Sequence, residues 1–154
     1  MYTPLSGGAY VIAEEILRRL AKVAADLGVI LPERQVICAG GAAVECEQVA
    51  VMLGGWAPLG QELSVPCQRL WAAQMSVVII RKALAMPTAS GRKAPGPAAI
   101  NDGGALASND ADVLLELANT LDVVGEGLLI TIGMPEGGYQ SVELVAAVGR
   151  VGGL

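Results

Sequence analysis

Ala13, Ile16, Leu17, Leu20, Val23, Ala24 and Leu27 recur three and four residues apart, with Glu14, Glu15, Arg18, Arg19, Lys22 and Asp26 set between them. That spacing predicts an amphipathic helix. It starts after Ser6-Gly7-Gly8 and stops at Gly28, where a residue without a side chain takes the left-handed conformation that closes helices; Pro32 follows. Strand-favouring residues run from Gln35 to Ala39 and from about Glu45 to Leu53, and Gly40-Gly41 between them suits the turn of a hairpin. The stretch from Gly54 to Gly60 is expected to break regular structure.

The longest strand is expected from about Arg69 to Ala85, where Val77-Val78-Ile79-Ile80 sets four β-branched residues in a row. A run apolar on both faces is buried on both, so this is the central strand. Pro87 ends it. Residues 87–107, which include Ser-Gly-Arg-Lys-Ala-Pro-Gly-Pro and Asn-Asp-Gly-Gly, read as a long flexible loop. Ser108-Asn109-Asp110 offers cap chemistry for a second helix, whose stripe is Val113, Leu114, Leu117, Ala118, Leu121 and Val124, ended by Gly125 and Gly127. Leu128 to Ile132 and Tyr139 to Val151 are strands joined by the turn Pro135-Glu136-Gly137-Gly138. The order α-β-β-β-α-β-β predicts an α+β fold: one mainly antiparallel, mixed sheet covered by two helices, in a single domain over 1–154.

Composition narrows the function. With 53% hydrophobic residues, only 16% charged, 20 Gly and no Phe, the core is aliphatic, and some apolar surface is expected against partner subunits. The absence of His removes the usual neutral-pH general base and the commonest metal ligand. A net charge of −5 argues against a surface built to neutralise nucleic-acid phosphates. It is unevenly spread: residues 1–34 balance to zero, 35–68 carry −3, 69–107 carry +4 and 108–154 carry −6. A basic segment with Arg69, Arg81, Lys82, Arg92 and Lys93 facing an acidic one with Asp110, Asp112, Glu136 and Glu143 would suit head-to-tail contact between copies. Solvated faces of a monomer would give the same distribution. The apolar run from Leu70 to Ile80 is too short to span a bilayer as a helix, and the first residues lack a secretion signal, so a soluble protein assembled in the cytoplasm is expected.

Little catalytic chemistry stands out. Cys38, Cys46 and Cys67 have no His to activate a thiolate and no partner motif for zinc, so structural thiols are the better reading; a bond between Cys46 and Cys67 is left open. Glu45 and Glu47 share one side of a strand, which acid-base work, a hard cation or plain solvation would each explain. The glycine pairs lack the Lys-Ser/Thr ending of a phosphate loop. No catalytic residue, metal site or cofactor is expected.

Pro32-Glu33-Arg34-Gln35-Val36 followed by Gly40-Gly41, then Glu45-Cys46-Glu47-Gln48-Val49-Ala50-Val51, Cys67 before the long strand, a Gly/Pro-rich loop with a helix after it, and Pro135-Glu136-Gly137-Gly138-Tyr139 opening the last strand make up a pattern over nearly the whole chain. It resembles the tail terminators and head-to-tail connectors of the neck of long-tailed, mycobacteriophage-like actinobacteriophages. The resemblance implies a small structural virion subunit with no enzymatic activity, assembling as a ring, typically a hexamer, at the head-proximal end of the tail tube. Its implied partners are further copies of itself, the major tail tube protein and a head-side connector or stopper protein. Genomic DNA would pass through the lumen without specific binding, along a wall where acidic side chains outnumber basic ones. A head-side connector is the alternative within the neck; a small ligand-binding or enzymatic α+β domain, or a scaffold forming open filaments, are alternatives outside it. Arg81, Lys82, Arg92, Lys93, Asp110, Asp112, Glu136 and Glu143 are the candidate subunit or partner contacts.

Overall fold

A computed structural model describes residues 2–42, 46–58, 71–84, 95–123 and 127–149. Helix α1 (Ala9–Leu27) is followed by strands β1 (Gln35–Ala39), β2 (Gln48–Pro58) and β3 (Trp71–Lys82), helix α2 (Pro97–Thr120), and strands β4 (Leu129–Ile132) and β5 (Tyr139–Gly149). The five strands form one sheet in the order β1-β2-β3-β5-β4, so β3 is central. This is the expected α+β order and mixed sheet.

Both helices pack on the same face. The core joins Ile12, Ile16 and Leu20 of α1, Val113, Leu114 and Leu117 of α2, and Val49, Val51, Val77, Ile79, Val142 and Leu144 of the sheet. Cross-strand pairs such as Val49 with Ile79 and Val77 with Leu144 explain the alternation, because residues directly opposite share a face. The four β-branched residues of β3 are buried on both faces, as expected: Val77 and Ile79 look toward the helices, Val78 and Ile80 away from them. Helix α1 closes at Gly28, whose φ of 71° is left-handed and whose N–H donates to the Ala25 carbonyl at 3.1 Å.

Three expectations are corrected. The first two strands are not a hairpin: β1 pairs parallel to β2, Gln35 opposite Val49 through Ala39 opposite Leu53, which puts β1 on the sheet's rim. Gly54-Gly55 does not end the second strand. The β2–β3 register shifts between Leu53 and Trp56, Gly55 takes φ +87°, and the ladder resumes to Pro58; a bulge absorbs the irregular residues. The second helix begins at Pro97, so residues 97–107 are helical and not loop. Pro97 sits in the first turn, where its missing N–H costs nothing, and Ala98, Ala99, Ala105, Leu106 and Ala107 outweigh Gly103-Gly104. Ser108-Asn109-Asp110 is therefore mid-helix and caps nothing. Residues 85–94, Val124 and the residues after Gly149 fall outside the described part.

Candidate functional site

Among the described residues the second face of the sheet is bare of helices. Register places there Val36 and Cys38 of β1, Gln48, Ala50 and Met52 of β2, Gln74, Ser76, Val78 and Ile80 of β3, Glu143 and Val145 of β5, and Leu129 and Thr131 of β4. At its centre Ala50, Val78 and Ile80 are buried. One end is held by polar contacts: the Arg34 Nε donates to Gln48 Oε1 at 3.0 Å, and the Cys46 thiol lies 3.7 Å from the same oxygen. Toward the other end Gly40, Gly41 and Gly54 leave room beside Met52, Gln74 and Ser76, giving an open depression of about 340 Å³. Among the described residues its lining holds no ionisable side chain.

The charged candidates separate into two groups. Arg81 and Asp110 meet inside the subunit. Arg81 Nε and Nη2 donate to the Asp110 carboxylate at 2.7 and 2.9 Å, and Nη2 also donates to the Ile30 carbonyl at 2.7 Å. One guanidinium thus ties the end of β3 to the middle of α2 and to the segment between α1 and β1. The Asp110 side chain is 3% exposed and the Arg81 side chain 14%, so this pair holds the subunit together and offers a neighbour no free carboxylate. Lys82, Asp112 and Glu136 are exposed. The Lys82 backbone N–H donates to Glu47 Oε1 at 3.0 Å, and Glu136 opens the two-residue turn in which its N–H and carbonyl both bond Tyr139. Glu143 is half-buried on the bare face between Val78 and Thr131, and no hydrogen bond or ion pair holds it among the described residues. Arg92 and Lys93 lie outside the described residues, as do Glu45 and Cys67. Cys38 and Cys46 are free, half-buried thiols.

On α1, Glu15 accepts from Arg18 and Arg19, and these hydrogen bonds, the Arg18 one foremost, lower its pKa from 4.5 to about 2; the same contact raises that of Arg18. Arg19 also donates to the Thr120 carbonyl, closing the last turn of α2 against α1. Among the described residues no cluster of three or more Cys, Asp or Glu is placed to hold a metal ion, and no helix is long and apolar enough to cross a membrane.

What the charge pattern did not point to is the sheet's rim. Strand β4 has an edge that pairs with no other strand among the described residues, and it exposes Leu129 (58%) and Ile132 (53%), flanked by exposed Leu128 and Met134. Ile30, ahead of the opposite rim strand β1, is also exposed. The signal was present in the sequence: Leu128 to Ile132 carries no charge, and an uncharged rim strand exposes its apolar side chains once the chain turns back at Gly137-Gly138. The rims offer surfaces for association, and among the described residues no set of groups for acid-base or nucleophilic chemistry is gathered.

No protein-family model and no curated protein sequence matches the chain. Among solved structures, a chain from the virion of a native gene transfer agent particle is similar over 87% of this chain and 91% of its own, at 16% identity and a TM-score of 0.39. A superposition that loose carries no inference about role.

Proposed function

We propose that this protein is a structural, non-catalytic virion subunit that closes into a ring, a hexamer in the neck pattern it resembles, at the head-proximal end of a phage tail tube, where it ends tube polymerisation and joins tail to head. The observation that carries the reading is the sheet with both helices on one side and an open, uncharged strand at each rim. Such a subunit presents two different surfaces, which a closed head-to-tail ring needs. The sequence pattern from Pro32 to Val51 and from Pro135 to Tyr139 supplies the neck assignment. The tail tube protein lies on one side of the ring and a head-side connector or stopper on the other. Genomic DNA crosses the lumen unheld, because a subunit of net charge −5 repels phosphate.

Electron microscopy of particles made without this protein tests the reading. Overlong, headless tails are the expected result. Tails of normal length beside detached heads would move the protein to the head side of the joint, and normal virions would overturn the proposal.

A further inference from the structure

We propose that neighbouring copies join by strand pairing, with the open edge of β4 in one copy laid antiparallel against the open edge of β1 in the next, so that the sheets run on from subunit to subunit. The inference deepens the ring reading and rests on it.

Open strand edges are templates for pairing, and proteins that stay apart blunt them with charges, prolines or bulges. Neither rim strand is blunted among the described residues. Gln35–Ala39 is Gln-Val-Ile-Cys-Ala and Leu129–Ile132 is Leu-Ile-Thr-Ile, with no charge and no proline in either. The bulge in this sheet sits in β2, away from both rims. The lengths differ by one residue, at five and four. On β4 the exposed Leu129 and Ile132 leave apolar surface in water that a neighbouring strand would cover.

A second copy, and not a foreign chain, fits because one chain supplies both halves of the joint at opposite rims of one sheet. Strand direction agrees. β1 runs parallel to β2, β2 antiparallel to β3, β3 to β5 and β5 to β4, so β1 and β4 point in opposite directions. A rotation that sets sheets side by side in a ring preserves strand direction, so β4 of one copy meets β1 of the next as an antiparallel pair. The faces agree as well: Val36 and Cys38 share the bare face with Leu129 and Thr131, so the joint continues both surfaces.

Cys38 provides a built-in probe. In a chain whose Cys46 and Cys67 are replaced by Ser, Leu129→Cys and Thr131→Cys place a second thiol at exposed positions on the same face as Cys38, whereas Ile130→Cys points toward the helices. After mild oxidation in the presence of tail tubes, at least one of the first two variants should give a ladder of disulfide-linked multimers on a non-reducing gel. Ile130→Cys should give none, and adding Cys38→Ser should abolish the ladder. A dimer that persists after Cys38→Ser would mean that β4 pairs with β4 about a two-fold axis, and would overturn the joint. Rings visible by microscopy with no linkage in either variant would overturn the joint and leave the ring standing. A chain that neither links nor forms rings on tube ends would overturn both.

Discussion

Asp110→Ala removes the carboxylate half of an ion pair between a buried Asp110 and a half-buried Arg81, and the geometry sets what it costs. Two charge-assisted hydrogen bonds at 2.7 and 2.9 Å are lost, and a guanidinium only 14% exposed is left without its counter-charge. Breaking such a pair costs about 3 to 5 kcal/mol. The lower end applies, because Arg81 Nη2 keeps the Ile30 carbonyl at 2.7 Å and the side chain retains some contact with water. In a domain of this size about 3 kcal/mol lowers Tm by roughly 6 to 12 °C. Urea unfolding followed by far-UV circular dichroism should show the midpoint falling at unchanged slope, since the surface exposed on unfolding is nearly the same. The double variant Arg81→Met with Asp110→Leu replaces both charges by apolar groups and should come back to within about 1 kcal/mol of the parent. A loss below about 1 kcal/mol for Asp110→Ala, or a double variant as unstable as the single one, would refute the view that this pair clamps α2 and the approach to β1 onto the end of β3.

Gly104→Ala should stabilise by about 0.5 to 1 kcal/mol, read by the same unfolding curves, because the position is exposed, mid-helix and open for a Cβ. Gly28→Ala should destabilise by about 1 kcal/mol although nothing crowds it, since the cost lies in forcing an L side chain to φ +71°. Glu15 has its folded pKa lowered to about 2 from 4.5, so its contribution to stability is full above about pH 4.5 and lost as pH falls through 2. The stability gap between the parent and Glu15→Gln should accordingly close over that interval, and added salt should shrink it because the pair is exposed. Glu143→Lys should leave the unfolding midpoint nearly unchanged, since no ion pair among the described residues holds the carboxylate, yet slow DNA ejection from virions in the proposed ring; ejection at the parent rate would put Glu143 away from the DNA path.

The helix α1 and its Gly28 stop were readable because the apolar stripe, the polar face and the left-handed terminator agree along a single local stretch. The central strand was readable for a related reason: four consecutive β-branched residues fit only where both faces are covered. Strand β1 was assigned its span but the wrong partner direction, because Gly40-Gly41 is compatible with a tight turn and the parallel pairing with β2 depends on tertiary packing under α1. The start of α2 was hidden by Gly103-Gly104 and Asn101-Asp102, whose local preference is overridden by the alanines around them and by burial of Ala107 against the core. Charge arithmetic singled out Arg81 and Asp110 as opposite partners, yet could not tell an interface from an internal clamp. Only the fold places them 2.7 Å apart. The open rim at Leu129–Ile132 was missed because it is defined by what lies beside the strand, which composition does not record.

The one-sided placement of the helices has a consequence for the proposed ring. If the sheets join edge to edge, one face must turn toward the axis and the other outward, and the outer circumference has more room for a second layer. The helices, about 10 Å thick with their side chains, therefore belong outside, and the bare face lines the bore. By register that face carries Gln74, Ser76, Thr131 and Val145 around the buried Ala50 and Val78, with Glu143 at its middle and Lys82 at the far end of β3. Small and uncharged side chains give DNA nothing to bind, and the carboxylate within the strand faces phosphate with the same sign. Lys82 stands at the rim, beside Glu47. The same sheet would then perform both tasks of the proposed ring, its edges closing the circle and its helix-free face passing the genome without holding it.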